Sequence, residues 1–336
     1  RVGRVAQGLA ATVCGEILEI RRVLAGNVTV VLGPTGVLTF TGDVAANDFR
    51  IGSDASGHTI VTGNSGTTIN GSASLDLSTL PEPNAALLNL AGGNDVLTLD
   101  TSVDAVSLPF GAVTINGQNG NDTVNVGTAG GHRVEFGSLT VNGGAGNDLV
   151  AFQSDLVLLP GTRAILNGGA GDDTYGFDAD VVLGPLTLDE SLGGMDTIDF
   201  SPTTTVGISI NLGTATDQVV HATNLNLNLS SVNTFEKAIG GSGSDTLRGN
   251  ALANTLTGKA GNDILNGAAG SDLLLGGQDN DRYVFGTALA AEADTVTEVA
   301  GAGTDTLDFG TQTLPVVLNL GTNLVQTVHT NRTLKL

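Results

Sequence analysis

Residues 240–285 read GGSGSDTLR, GNALANTLT, GKAGNDILN, GAAGSDLLL and GGQDNDRYVF, five nine-residue units in unbroken register with Phe285 following the last. Each unit begins with glycine, has Asp or Asn at its sixth position, and has an apolar residue two positions later. A short fixed period of this kind predicts a solenoid, in which successive coils stack on one another, rather than a globular core.

The chemistry of one unit explains this spacing. Glycines at the first, second and fourth positions allow positive φ angles, so the backbone can turn tightly with its carbonyl groups directed inward. The sixth-position Asp adds a carboxylate oxygen, and an all-oxygen ligand set suits calcium better than zinc or copper. The last three residues of each unit are predicted to form a short strand with one apolar side chain in the core. These side chains are Leu247, Leu256, Leu265, Leu274 and Tyr283.

The five units resemble the nonapeptide of RTX (repeat-in-toxin) proteins, also called haemolysin-type calcium-binding repeats. The resemblance implies a β-roll, in which two units form one coil and calcium binds between stacked coils. Alternate units then lie on the same side, so Asp245, Asp263 and Asp281 line one edge, and Asn254 and Asp272 line the other. We expect weaker binding at the second edge because Asn254 is neutral. A glycine-, Asn- and Asp-rich loop without metal is the alternative. The predicted metal-binding residues of this segment are Gly240, Gly241, Gly243, Asp245, Asn254, Gly258, Gly261, Asp263, Gly267, Gly270, Asp272, Gly276, Gly277 and Asp281.

A longer period precedes the tandem units. A strand, a glycine-rich turn with an aspartate and a second strand recur around Asp48, Asp95, Asp122, Asp148 and Asp173. The last four aspartates follow one another at nearly constant spacing, whereas the interval from Asp48 to Asp95 is nearly twice as long. This period predicts a right-handed parallel β-helix, with alternation such as Val124 and Val126 burying one face of each strand.

Some turns of this β-helix segment also carry the nonapeptide pattern. Asp148 and Asp173 lie in full frames and Asp122 in a near match, so stacked like charges would favour a cation between them. The alternative is a hydrogen-bonded Asn/Asp ladder without metal. Asp95, with fewer glycines, is interpreted as a structural turn. The predicted metal-binding residues here are Asp122, Gly143, Gly144, Gly146, Asp148, Gly168, Gly169, Gly171 and Asp173.

A third repeat relates two distant segments, since Tyr175 to Asn224 reappears from Tyr283 onward; we call it the long-period repeat. Glu190 corresponds to Glu298, and the Asp196 and Asp305 motifs, GGMDTIDF and AGTDTLDF, resemble the segments that close nonapeptide blocks. These acids could ligate a terminal calcium or cap the roll, and the sequence favours capping. Because the second copy stops at Leu336, we expect the chain to be a piece of a longer protein.

Five segments are predicted. They are 1–26, a leader or capping segment; 27–185, a β-helix with long coils; 186–239, spacer or capping strands; 240–285, the tandem β-roll; and 286–336, a truncated second spacer. Within the first, ILEIRRVLAG at 17–26 resembles the leader of large planctomycete surface proteins. A short amphipathic helix that caps the solenoid is the alternative.

Composition limits the partners of the chain. Of 336 residues, 49 are glycine and none is tryptophan, and the net charge is −21, with 26 of the 34 acidic residues being Asp. Such an acidic surface makes nucleic acid and anionic membranes poor partners. The single cysteine, Cys14, permits no disulfide within the chain, and no apolar run reaches the roughly 18 residues of a membrane helix.

Catalytic motifs are absent from the sequence, and its four histidines, His58, His132, His221 and His329, are scattered. Residues 175–180, Tyr-Gly-Phe-Asp-Ala-Asp, are similar to an alginate epimerase active-site string, but Asp180 stands where that family has its catalytic His. The sequence therefore predicts no enzyme, but an all-β, calcium-binding structural segment of a secreted or cell-surface protein that folds on extracellular calcium. An adhesin that binds glycans, cells or neighbouring surface proteins is the main alternative, and a β-helix polysaccharide lyase or epimerase is the other.

Overall fold

A computed structural model describes residues 26–101, 110–190, 193–286, 291–298, 303–311, 315–318, 325–329 and 332–336. Across these ranges every regular element is a β-strand and no helix occurs. The all-β prediction is therefore confirmed. Residues 1–25, which are all of the predicted leader except Gly26 and include Cys14, lie outside the described residues.

The strands are short and closely spaced along the chain. The first sixteen are β1 (Asn27–Leu32), β2 (Val37–Thr41), β3 (Asp48–Ser53), β4 (Thr59–Gly63), β5 (Thr68–Ile69), β6 (Ser74–Asp76), β7 (Ala85–Asn89), β8 (Val96–Leu99), β9 (Ala112–Asn119), β10 (Thr123–Val126), β11 (Val134–Phe136), β12 (Ser138–Ala145), β13 (Leu149–Phe152), β14 (Leu156–Leu158), β15 (Ala164–Ala170) and β16 (Thr174–Phe177). The others are β17 (Gly184–Leu188), β18 (Thr197–Asp199), β19 (Ser209–Asn211), β20 (Asp217–His221), β21 (Leu225–Leu229), β22 (Lys237–Ile239), β23 (Thr246–Arg248), β24 (Thr255–Lys259), β25 (Ile264–Asn266), β26 (Leu273–Gly277), β27 (Arg282–Val284), β28 (Glu292–Thr297), β29 (Thr306–Asp308), β30 (Gln326–His329) and β31 (Arg332–Lys335).

Two long sheets carry the solenoid. A fourteen-stranded sheet runs in the order β30-β31-β28-β26-β24-β22-β18-β16-β13-β10-β8-β3-β4-β6, and a ten-stranded sheet in the order β20-β21-β17-β15-β12-β9-β7-β2-β1-β5. A five-stranded sheet, β19-β23-β25-β27-β29, supplies the second wall of the roll where the ten-stranded sheet has ended. The fourteen-stranded sheet is continuous from the β-helix segment through the spacer into the roll, so one body joins the three.

Strand register measures the coil length directly. Val96 pairs with Thr123, Thr123 with Leu149, and Leu149 with Thr174, so the coils of the β-helix segment shorten slightly along the chain. In the roll, Lys237 pairs with Thr255 and Thr255 with Leu273, so each coil there is two nonapeptides long. The structure thus has longer coils in the β-helix segment than in the roll.

One part of the predicted register is wrong. The sequence repeat aligns Asp48 with Asp95, but in the structure Asp48 pairs with Val96, so Asn47 is the residue equivalent to Asp95. A shift of one residue moves a side chain to the other face of a strand. Accordingly the Asp48 carboxylate accepts a hydrogen bond from the Asn64 side chain (3.1 Å) in the inserted hairpin.

The core is one continuous row of apolar side chains. The five side chains predicted to enter it from the roll are all buried, with at most 1% of their surface exposed. Val124, Val126, Leu139 and Val141 in the β-helix segment are buried in the same way. Period-2 alternation therefore decides which face of each strand is inside.

Antiparallel hairpins interrupt the parallel stacking. β20 pairs with β21, and β30 with β31, at equivalent places in the two copies of the long-period repeat. The first hairpin ends the ten-stranded sheet and the second ends the fourteen-stranded sheet. Ending a sheet on a hairpin limits the exposed edge that another chain could extend.

Candidate metal sites along the turns

A row of acidic and amide side chains follows one edge of the fourteen-stranded sheet. Its members hold the same register position in successive coils, and all of them except the last, Asp294 within β28, immediately precede a strand. We call this row the long ladder, and it consists of Asn47, Asp95, Asp122, Asp148, Asp173, Asp196, Glu236, Asn254, Asp272 and Asp294.

Adjacent members of the long ladder are joined by a recurring hydrogen bond. The amide of one aspartate donates to the carboxylate Oδ1 of the aspartate in the next coil. The distances are 2.8 Å from Asp95 to Asp122, 2.7 Å from Asp122 to Asp148, 2.7 Å from Asp148 to Asp173 and 2.9 Å from Asp173 to Asp196. Each carboxylate thus fastens its coil to the coil before it.

A second row, the short ladder, follows the five-stranded sheet of the roll and consists of Asp245, Asp263, Asp281 and Asp305. The same amide-to-Oδ1 bond links its members, at 2.8, 2.9 and 3.0 Å in chain order. The structure therefore brings the predicted aspartates of alternate nonapeptides together on two edges.

The second carboxylate oxygen has a different environment. Among the described residues, Oδ2 of Asp95, Asp122, Asp148, Asp173, Asp263 and Asp281 is buried and has no hydrogen-bond partner. A buried acceptor without a donor is costly and rare in folded proteins. A repeated row of such oxygens fits a bound cation, because a cation satisfies acceptors where no protein donor reaches them.

The first glycine of each unit lies against this orphaned oxygen. A Cβ atom on Gly143 would overlap Asp148 Oδ2 and the carbonyl oxygen of Gly168, and one on Gly258 would overlap Asp263 Oδ2 and approach the carbonyl oxygen of Gly276. Carboxylate and carbonyl oxygens from neighbouring coils therefore converge beside the glycine. This is the hard-oxygen donor set that calcium prefers.

The expected positive φ angles occur at only some of the predicted positions. Second-position Gly144, Gly169 and Gly277 have φ of +118°, +105° and +113°, and fourth-position Gly146 and Gly171 have +134° and +131°. The fourth-position glycines Gly261 and Gly270 have φ of +105° and +124°. First-position glycines, as well as Gly241 and Gly243, do not adopt positive φ, so the sequence reasoning was wrong there. The first-position glycines Gly168, Gly240, Gly267 and Gly276 are required for close approach instead, because a Cβ would overlap the aspartate of the same unit.

Burial changes the acidity of the ladders. Desolvation raises the pKa of Asp122, Asp173 and Asp272 to about 7 and that of Asp263 to about 8, against the opposing hydrogen bond from the neighbouring amide. It raises the pKa of Asp95 and Asp281 to about 6. The pKa values of Asp148 and Asp245 are raised for the same reason. Burial therefore makes ionisation of these carboxylates less favourable unless a cation accompanies them.

Two positions of the long ladder differ in chemistry. Asn254 directs its amide nitrogen at the carbonyl oxygens of Phe235 (3.2 Å) and Glu236 (3.3 Å), so a donor stands beside the site where other units have an acceptor. Further on, Asp294 pairs with the buried guanidinium of Arg332 (2.6 Å), which supplies a cation from the chain itself. Both differences reduce the oxygens available to an ion around Asp272.

Sequence reasoning did not assign metal-ladder positions to Asp95, Glu236 and Asp294, and it favoured capping over calcium ligation for Asp196 and Asp305. The signal that could have found them is register. Asp95, Asp196, Glu236 and Asp305 immediately precede strands in register with nonapeptide strands, and Asp294 holds the same register within β28. Asp95 was interpreted as a structural turn and Asp196 as a cap, yet both have the same amide-to-carboxylate bond as the nonapeptide aspartates.

The epimerase-like string has structural roles. The side chains of Tyr175 and Phe177 are fully buried in the core. Asp180 accepts hydrogen bonds from the Thr205 hydroxyl and from the Thr204 amide (2.7 Å), and these bonds lower its pKa to about 2 despite desolvation. Tyr175 and Phe177 are therefore inaccessible to a substrate. The Asp180 carboxylate is hydrogen-bonded to the turn at 204–206.

The fold and the turns define a β-solenoid whose coils have acidic, glycine-rich turns. The family described as RTX calcium-binding nonapeptide repeat (4 copies) matches residues 110–128, 236–251 and 248–283. The chain therefore contains RTX calcium-binding repeats, in the roll and at the Asp122 turn of the β-helix segment. A search of curated proteins gave no match. In the part of the chain that the structure describes, no helix has the length and apolar character that a membrane crossing requires.

Proposed function

We propose that this chain is a structural segment of a secreted or cell-surface protein and that it completes its folding on extracellular calcium. One observation carries the proposal. Successive coils present buried aspartates whose Oδ2 oxygens have no donor among the described residues and lie beside carbonyl oxygens of the next coil. Such a row is unfavourable without cations and complementary to calcium with them.

The residues of each turn have separate roles in this mechanism. Oδ1 of Asp263 accepts the amide of Asp245 and so joins two coils, while its Oδ2 is left for an ion beside Gly258 and Gly276. Calcium, when bound, supplies the positive charge that these oxygens lack. Because each aspartate belongs to the contact between two coils, ordering of one coil favours ordering of the next.

Concentration then determines where folding is completed. Extracellular calcium modules bind with dissociation constants of about 0.1–1 mM, far above cytosolic calcium. Glycine-rich turns carry a high ordering entropy, and neighbouring carboxylates repel each other without an ion. We therefore expect the roll to be loosely folded in a low-calcium compartment and ordered outside the cell.

Circular dichroism tests this proposal on the full chain. In EDTA, the strand signal of residues 240–285 should be lost, and calcium at about 1 mM should restore it. Magnesium at the same concentration is the control, and it should restore less because it binds poorly to irregular oxygen cages. A spectrum that is the same in EDTA and in calcium would contradict the proposal.

The adhesin alternative has one supporting observation. Asn211, Arg248 and Asn266 pair across the outer face of the five-stranded sheet and line an open groove. Amide and guanidinium groups in a row suit the hydroxyl groups of a glycan. A glycan array with the calcium-loaded chain tests it, with the Arg248→Ala variant as the matched control.

A further inference from the structure

A three-carboxylate cluster lies where the short ladder ends. One carboxylate oxygen from each of Asp281, Glu298 and Asp305 lies within 4.8 Å of the other two. Asp281 belongs to the last nonapeptide and Asp305 to the next rung, but Glu298 follows β28 and lies outside any nonapeptide frame. The cluster therefore joins the repeats to the segment that comes after them.

The long-period repeat places the equivalent three residues earlier in the chain. Asp173, Glu190 and Asp196 are all buried, with 2% or less of each residue exposed. The Asp173 amide donates to Asp196 Oδ1 (2.9 Å), and the negative charges of Asp173 and Asp196 both act on Glu190. The same three residue types thus recur, but among the described residues the second set alone brings one oxygen of each within 4.8 Å of the other two.

A buried tyrosine orients the glutamate in each copy. The Tyr175 hydroxyl donates to Glu190 Oε1, which also accepts the Gly168 amide at 2.7 Å. In the second copy, the Tyr283 hydroxyl donates to Glu298 Oε1, and the Gly276 amide donates to the Tyr283 oxygen at 2.7 Å. Both glutamates are thereby held with Oε1 occupied and Oε2 available.

Oxygens that lack donors occur in both sets of residues. Within the described ranges, Glu190 Oε2 and Asp173 Oδ2 in the first set and Asp281 Oδ2 in the second are buried without a hydrogen-bond partner. Glu298 Oε2 has only a long contact with the Gly277 amide (3.5 Å). In the second set, three carboxylates at this separation, with the buried and unpartnered Asp281 Oδ2 beside them, favour a cation between them.

We propose that Asp281, Glu298 and Asp305 form an additional divalent-cation site that joins the segment after the last nonapeptide to the coil. This inference rests on the proposed function in taking calcium as the ion. The site differs from the ordinary turns because a glutamate from outside the repeats adds a third carboxylate. Since calcium affinity rises with ligand charge, this site should fill before the others.

The tyrosines provide a selective test. The chain has two tyrosines and no tryptophan, so Tyr175 and Tyr283 are the residues able to sensitise bound terbium efficiently, a luminescent ion that occupies calcium sites. In a Tyr175→Phe background, Tyr283 alone reports. The terbium titration should show a high-affinity (tight) phase. Glu298→Gln should lower the terbium affinity of this phase at least about tenfold. Glu82→Gln, an exposed and distant change of the same kind, should leave the titration unaltered.

Three outcomes separate the possibilities. If the parent chain takes up no calcium by calorimetry, both the proposed function and this inference fail. If the parent binds calcium and Glu298→Gln titrates like Glu82→Gln, this inference alone fails, since glutamine keeps an oxygen that can accept the tyrosine hydroxyl. If the Glu298→Gln variant loses strand signal in calcium, the Glu298→Asp variant provides a second test, because it keeps the negative charge. Glu298→Asp should then recover the high-affinity phase of the terbium titration. Failure to recover this phase would overturn the inference.

Discussion

At the scale of single residues, six of the ladder aspartates divide their two oxygens between two tasks. Oδ1 joins coils through an amide, as in the 2.8 Å bond from Asp245 to Asp263, while Oδ2 of these six remains unpartnered within the described residues. Asp245 differs, because its Oδ2 accepts the Gly241 amide at 2.7 Å. An Asn/Asp ladder held only by hydrogen bonds would need one oxygen per rung. The second oxygen is therefore the feature that distinguishes an ion-binding ladder from a purely structural one.

The two edges of the roll should respond differently to loss of a carboxylate. Asp263 lies between two ladder aspartates, whereas Asp272 lies between neutral Asn254 and Asp294, which is already paired with Arg332. Asp263→Asn should raise the calcium concentration for half-maximal folding by about tenfold, and Asp272→Asn by less. Calcium titrations followed by circular dichroism measure both. A larger shift for Asp272→Asn would contradict this assignment of the edges.

Close approach at the first glycine of a unit gives a second prediction. A Cβ on Gly258 would overlap the Asp263 carboxylate and crowd the Gly276 carbonyl, although its φ angle is unrestrictive. Gly258→Ala should destabilise the calcium-loaded chain by about 1–3 kcal/mol. Gly33→Ala is the matched control, since its Cβ would meet its nearest atom at 3.5 Å. Urea unfolding in calcium should show a change below about 0.5 kcal/mol for this control.

At the scale of elements, the second hairpin closes the long ladder with a built-in cation. Arg332 on β31 is 3% exposed, pairs with Glu292 and Asp294 on β28, and lies 5.2 Å from the centre of the Phe285 ring. Its guanidinium thereby supplies a positive charge to Asp294, the last acid of the long ladder among the described residues. The parallel repeat thus ends on a side chain rather than on an exposed row of acids.

Removing this cation should loosen the hairpin. Arg332→Met leaves two buried carboxylates without a partner, which should cost about 3–5 kcal/mol at neutral pH. Arg282→Met is the control, because the pair that Arg282 forms with Asp308 is half exposed and should contribute less than about 1 kcal/mol. Hydrogen exchange across β28 and β31 measures the loss. Equal protection in the two variants would show that Arg332 has no such role.

At the scale of the whole molecule, acidic turns are stacked on one apolar core. The fourteen-stranded sheet passes through the β-helix segment, the spacer and the roll, so both ladders belong to one body. The net charge of −21 adds general repulsion to the local desolvation of the carboxylates. Stability should therefore depend on whatever neutralises the ladders, whether protons or calcium.

The pH dependence of the metal-free chain follows from the raised pKa values. Burial brings the pKa of Asp122 and Asp173 to about 7 and that of Asp263 to about 8, above the value of about 3.9 in an unfolded chain. The folded state consequently binds more protons, so this contribution is complete below about pH 4 and is lost as the pH rises through 6 to 8. In EDTA, the chain should be more stable at pH 5 than at pH 8 by at least about 2 kcal/mol.

Calcium should reverse that trend, because it favours the ionised carboxylates with which protons compete. Thermal unfolding at pH 5 and pH 8, with EDTA and with calcium, provides the comparison. The same direction of pH dependence in both conditions would contradict the ladder mechanism. Arg163, whose bidentate pair with Asp217 is exposed, offers a control: Arg163→Met should leave the reversal intact.

Period and composition alone predicted the β-solenoid, its two coil lengths, the core side chains Leu247 to Tyr283 and the alternation of aspartates on two edges. These features are local, since a repeated turn pattern and period-2 strands dictate them wherever the chain lies. Tertiary stacking decided the rest. It places Asn47 rather than Asp48 in the long ladder, and it includes Asp95 and Asp196 in the same ladder. It also pairs Arg332 with Asp294 at the end of the ladder. Such assignments depend on which coils are adjacent in the structure. Insertions of unequal length separate these coils in the sequence, so no fixed period identifies the adjacent ones.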